Sequence, residues 1–249
     1  MIKFFKEIIA SIKEGVEEAK QELEEEKKLE NENANLEETS IEDIQKIPYN
    51  EAFGNALGAP FRTVIFGDWF TLFKSKEGAE DNYYPIHLHA FGEYPKLKEH
   101  QKDFTKLLKR DFKIVNEHSC FVVLSSFFDI LSVSKNNTRL ENIEGTQVGI
   151  PYSSLSEIKI SAVLPCIISY IVTSATDVGY LNKKDALDIL DRIIPFVKKY
   201  HNSWSEYGTS FIEGQTEVGL NNFVGNSILK KNIGYLNSKN GSPWNTITW

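Results

Sequence analysis

Ile160-Ser-Ala-Val-Leu-Pro165-Cys-Ile-Ile-Ser-Tyr170-Ile-Val-Thr-Ser-Ala-Thr176 runs without a charge between Lys159 and Asp177. Its length sits at the short limit of a membrane-crossing helix, roughly 17–25 residues. Five hydroxyl residues and Pro165 lie inside it, and an amphipathic segment follows in place of a basic flank. The stretch therefore predicts a core helix buried on all sides, kinked near Pro165 and with no membrane span. Asp177-Val178-Gly179-Tyr180 ends it, with Gly179 suited to the left-handed conformation past a helix C-terminus.

Toward the C-terminus the signals stay helical. Asn182 followed by Asp185 resembles a capping start, and Ala186, Ile189, Leu190, Ile193 and Val197 share one side of the helix that follows, with a bend expected at Pro195. Asp185, Asp188 and Asp191 recur in this helix and should face water beside Lys183 and Lys184, so they do not form an acid/base pair. Ser203 with Glu206 is a capping box for a helix that should stop at Gly214. Ser242-Pro243-Trp244 places a capping hydroxyl before a proline at the first helical position.

Toward the N-terminus, Asn116 can cap a helix over Glu117–Leu131, apolar nearly all round and so expected at the centre of the core. Before it, Leu97, Phe104, Leu107, Leu108 and Phe112 fall on one side of a helix, and Lys98, Lys102, Lys106, Lys109 and Lys113 form a stripe on the other. That stripe reads as a solvated face or as contact with an anionic partner, which could be the chain's own acidic Glu22–Glu26 segment. Arg62–Phe73 and Tyr83–Phe91 are β-branched and aromatic, joined by a polar connection containing Gly78, and predict a strand pair. The expected fold class is α+β, mainly α: a helical domain with a small β hairpin or sheet.

Ile2, Phe5, Ile9, Ile12, Val16, Ala19 and Leu23 step by three and four, the seam of an N-terminal coiled-coil-like helix over residues 1–29. It could pack on its own domain, on a helical partner or on a second copy; a membrane-surface helix is disfavoured, because Glu17, Glu18, Glu22 and Glu24 to Glu26 would be repelled by anionic lipid. Residues 30–46 are rich in Asn and Glu and read as an acidic linker. The globular body should span 47–249, with the β element over 47–95 and the helical domain over 96–249.

The 249 residues carry 28 Lys and Arg against 35 Asp and Glu, a net charge of −7. Residues 1–46 hold 14 acidic residues and 7 lysines, which leaves 21 of each sign in the body. A neutral body argues against a nucleic-acid partner. Cys120 and Cys166 lie in apolar runs as small hydrophobes, and charges interrupt every apolar pair near the N-terminus. Both point to a reducing, cytoplasmic setting.

Chemistry-bearing patterns are sparse. His87 and His89, two apart on the expected strand, would share a face as two metal ligands do, with Asp68 as a third ligand on the neighbouring strand. No glycine-rich phosphate loop, nucleophile elbow or activated cysteine occurs, so no catalytic residue and no cofactor is assigned.

The motifs Gly179-Tyr180, Ser203-Trp204-Ser-Glu206, Phe211-Ile-Glu-Gly214 and Ser242-Pro243-Trp244, in this order, resemble the bacterial domain-of-unknown-function family 1266. The resemblance covers residues 100–249. The chain departs from the family's pattern where the helix before Gly179 has no arginine and where Gln215-Thr216 replaces an arginine-aromatic pair. What the resemblance implies is a mostly helical bacterial cytoplasmic domain, without an assigned activity. Ligand or interface candidates are Tyr180, Trp204, Tyr207 and Trp244, although Trp204 and Trp244 at helix starts also suit structural anchoring. The expected function is a non-catalytic interaction or regulatory module whose protein partner, or second copy, engages residues 1–29. The alternatives are a metal-dependent or small-ligand enzyme using His87 and His89, and a component of an interbacterial toxin or immunity system.

Overall fold

In the computed structural model, residues 45–65, 86–92, 98–134, 155–217 and 223–249 are described. They form α1 (Tyr49–Leu57), α2 (Ala59–Ile65), α3 (Ile86–His89), α4 (Lys98–Phe112), α5 (Glu117–Ser134), α6 (Glu157–Asp177), α7 (Lys183–Tyr200), α8 (Trp204–Glu217), α9 (Phe223–Ser238) and α10 (Pro243–Thr246). All lie within one unit, Thr39–Trp249. The expected helix over residues 1–29 and the linker over 30–46, up to residue 44, fall outside the described residues.

The uncharged stretch is the hub. Every residue from Ile160 to Thr176 is buried in α6, which packs against α1, α2, α4, α5, α7 and α8. The helix is long and apolar enough to cross a membrane, and it is enclosed by other helices. Its hydroxyls are compatible with burial because each of four donates to a carbonyl. Ser161 reaches Ile158 O at 2.7 Å, Thr173 reaches Ser169 O at 2.8 Å, Thr176 reaches Val172 O at 2.8 Å, and Ser169 crosses to Gly54 O of α1 at 2.6 Å. The helix continues through Pro165 as one element of 21 residues.

The expectation of an α+β fold is overturned: the described residues contain helices and no strand. Arg62 to Ile65, read as the start of a strand, belong to α2, and Ile86 to His89 of the second expected strand form α3. Residues 66–85 lie outside the described set. The physical reason is that strand propensity measures fit to a pleated, half-buried surface, and here the neighbouring surface is a helix groove. Pro60, in the first turn of α2 where a missing N–H is harmless, was the helix-start signal. At the α1–α2 corner the chain rests on α6: a Cβ on Gly58 would lie 2.6 Å from Ser169 Oγ and 2.9 Å from Tyr170 N.

The position of α5 also differs from expectation. Cys120, Val123, Leu124, Phe127, Ile130 and Leu131 are buried, but Phe121 and Val122 are exposed, so one face of this helix packs on α6 and the other is peripheral. Apolar content all round does not distinguish a central helix from a one-sided one. In α4, Phe104 and Leu108 are buried while Lys102, Lys106 and Lys109, and Lys113 just past its end, are exposed.

Local stop and start signals perform as chemistry requires. Gly179 adopts φ +81°, and Tyr180 N donates to Ala175 O at 2.8 Å to close the end of α6. Asn182 Oδ1 accepts from Asp185 N at 2.9 Å. Ser203 Oγ accepts from Glu206 N at 3.2 Å, while the Glu206 carboxylate reaches back to Asn202 N at 2.8 Å, one residue beyond the usual box partner. Ser242 Oγ accepts from Trp244 N at 3.1 Å and donates to Leu236 O at 2.6 Å. Gly214 is not a stop, since α8 runs on to Glu217. It gives room for α6 instead, where a Cβ would lie 2.5 Å from Val163 Cγ2.

Candidate functional site

The turn from α6 into α7 is where polar groups gather. Asp177, the last residue of α6, places its carboxylate against Arg62 of α2, Nη1 to Oδ2 at 2.8 Å, with side chains only 1% and 8% exposed. The other oxygen accepts from Gly92 N at 2.6 Å, and Asp177 O accepts from Gln101 Nε2 of α4 at 3.1 Å. The guanidinium lies 5.2 Å from the Phe104 ring centroid. One residue thus ties α2, the chain after α3, and α4 to the end of the central helix. Tyr170, one wall of the same region, has its phenol pushed up by burial and by Asp111, against the opposite pull of Arg62 and Arg110.

Two residues further on, the turn becomes open. Gly179, Tyr180, Leu181 and Asn182 face Asn116 and Glu117 at the start of α5 across a cavity of about 410 Å³. Asn116 Oδ1 is engaged by Ser119 N at 2.9 Å, as Asn182 is by Asp185 N. Amide, phenol and carboxylate groups at such a rim bind by hydrogen bonding. The helix before Gly179 lacks an arginine of its own, and Arg62 of α2 supplies one at this end.

The other aromatic candidates are in the core. Trp204 Nε1 donates to Ile247 O at 2.8 Å, Trp244 Nε1 to Ala56 O at 2.9 Å, and the Tyr207 hydroxyl to Leu57 O at 3.0 Å. Trp204 and Trp244 stack at 9° with centroids 5.4 Å apart. Both Trp244 and Tyr207 therefore satisfy carbonyls in the last turn of α1, which helix geometry leaves without intrahelical donors. Trp249 completes the cluster, donating to His201 O at 3.0 Å.

The proposed metal ligands are not brought together by the geometry that suggested them. His87 and His89 lie in α3, where residues two apart point to different sides, unlike a strand. His89 is fully buried, with Nε2 3.1 Å from Gly241 O. The His87 side chain and Asp68 lie outside what is described. Among the described residues no group of three His, Cys, Asp or Glu side chains could hold a metal ion. Both cysteines are buried, and burial pushes the Cys120 thiol up to about 12 and raises Cys166 as well.

Burial lowers the His89 pKa from 6.5 to about 4, and that of His201 in the same direction. The native state therefore holds neutral His89 while the unfolded chain protonates at its ordinary pKa. Stability is fully present above about pH 6.5 and falls as the pH drops toward 4, by about 3 kcal/mol for His89 alone. Urea midpoints at pH 7.5 and 4.5 should show this loss, and His89→Gln should flatten the difference. An unchanged pH slope in that variant would assign the acid sensitivity elsewhere.

Arg62 and Asp177 escaped sequence reasoning, because they lie 115 positions apart and neither belongs to a motif. The arrangement defines an all-α domain wrapped on one buried helix, with a clamped turn that opens into a polar cavity. Over residues 3–249 the chain matches the family described as Protein of unknown function (DUF1266), and it belongs to that family. No curated protein and no solved structure matches it.

Proposed function

We propose that this chain is a non-catalytic interaction module of the bacterial cytoplasm, and that residues 1–29 engage a protein partner or a second copy through their heptad seam. The observation that carries the reading is how the motif side chains are used. Trp204, Tyr207 and Trp244 point their polar atoms at backbone carbonyls inside the core, and Asp177 is committed to Arg62 and Gly92. These residues hold a shape in place of presenting reactive groups. A seam of Ile, Phe, Val and Leu without an aromatic-rich or glycine-rich interruption suits helix–helix association.

Sedimentation equilibrium of the full-length chain, with an Ile9→Glu/Val16→Glu variant beside it, tests this. The expected result is an oligomer, or a complex with a captured protein, that dissociates in the variant while the unfolding free energy stays within about 0.5 kcal/mol, as surface changes do. A monomer at every concentration that binds no protein and turns over a substrate would remove the reading.

A further inference from the structure

We propose that the outward face of α4 and the start of α5 together form a docking surface for an acidic amphipathic helix of a partner protein. The inference rests on the interaction-module reading but concerns a surface separate from residues 1–29. Lys102, Lys106, Lys109 and Lys113 are exposed and step by four, three and four. Helical rise places Lys102, Lys106 and Lys109 along a line about 10 Å long, and Lys113 follows just past the end of α4. Carboxylates at the same three-and-four spacing on an opposing helix match such a line. Asp103 and Asp111 offset only part of this charge, Asp103 lying 3.9 Å from Lys106 and Asp111 pairing with Arg110 at 2.6 Å.

In the sequence that follows the line, Val115 and, in the first turns of α5, Phe121 and Val122 are apolar and 48%, 40% and 53% exposed. Basic residues beside exposed aliphatic and aromatic side chains are complementary to a helix with one acidic and one apolar face. Lys113 adds a second observation. It sits at φ +59° just past the end of α4, with Lys113 N donating to Lys109 O at 3.1 Å as in the left-handed helix stop that glycine usually makes. Glycine would occupy this position without strain. A lysine here sacrifices stability and keeps a charge between the lysines of α4 and the exposed Val115. Anionic lipid is the less favoured occupant, because Glu117 and Asp129 are exposed on α5 itself and would meet the headgroups.

The test is fluorescence anisotropy of the full-length protein with a labelled three-heptad helix carrying Leu at its seam and Glu on its flanks. A Lys-flanked copy and vesicles of phosphatidylcholine with phosphatidylglycerol serve as rival probes. The acidic probe should bind and lose about tenfold in affinity as screening increases from low salt to about 0.5 M. Lys106→Glu/Lys109→Glu should weaken it at least about tenfold by replacing attraction with repulsion. Phe121→Ser/Val122→Ser should weaken it without lowering Tm, and Lys113→Gly should raise Tm yet weaken binding. Binding of the acidic probe that is unchanged by Lys106→Glu/Lys109→Glu, no binding of the acidic probe, or retention on vesicles in its place would each overturn the assignment, whereas binding of the Lys-flanked copy that survives those substitutions reports on residues 1–29. The oligomer measurement decides the broader module reading independently.

Discussion

Replacing Asp177 with alanine should lower stability by about 3–5 kcal/mol, the cost of breaking a buried ion pair from one side. The Arg62 side chain is 1% exposed, so without that carboxylate its charge stays in a poorly solvated place. The same substitution removes the acceptor for Gly92 N, which leaves a part-buried donor without that bond. Arg62→Met together with Asp177→Leu should recover most of the loss, because the charge is then absent instead of exposed to an apolar wall. Chemical denaturation of the three variants checks this. A loss below about 1 kcal/mol for Asp177→Ala, the value of an exposed pair, would mean that the pair is solvated.

Truncation of Trp244 to alanine should cost a comparable amount, about 3–5 kcal/mol, as large aromatic deletions in cores do. The ring stacks on Trp204 and lies on Gly208, where an added Cβ would come within 2.9 Å of Cζ3. Its N–H also supplies the donor for Ala56 O at the end of α1. Trp244→Phe keeps much of the ring and isolates that hydrogen bond, with an expected loss of about 1–2 kcal/mol. Thermal unfolding monitored by far-ultraviolet circular dichroism reads both, since the helical signal survives in either variant. Equal losses in the two variants would show that the hydrogen bond, and not the packing, holds α10 in place.

Most of what was legible in the sequence is local. Asn182, Ser203 and Ser242 cap the helices they precede because a short side-chain oxygen reaches backbone N–H groups two or three residues on. Gly179 ends α6 for an equally local reason, its freedom at positive φ. Burial of α6 followed from composition, since a charge-free stretch of that length must be covered by something. The errors share one cause. Strands over the described parts of Arg62–Phe73 and Tyr83–Phe91, a central α5 and a stop at Gly214 were all inferred from segments read alone, whereas each outcome depended on what lay beside the segment.

The candidate site divides in the same way. Tyr180 stands beside a glycine helix stop, a position that marks a turn and is visible in the chain. The partnership of Arg62 with Asp177 is not, because a guanidinium in an aromatic stretch carries no mark of the carboxylate it will meet. His87 and His89 illustrate the converse, since their value as a ligand pair depended on a strand. The sequence alone determined the caps, the helix stop and the buried central segment, because those depend on atoms a few residues apart. Only the tertiary structure decided that apolar, β-branched segments would be helices, that Gly214 would admit α6, and that Arg62 would close on Asp177. Those outcomes depend on surfaces that exist only once distant helices are packed together.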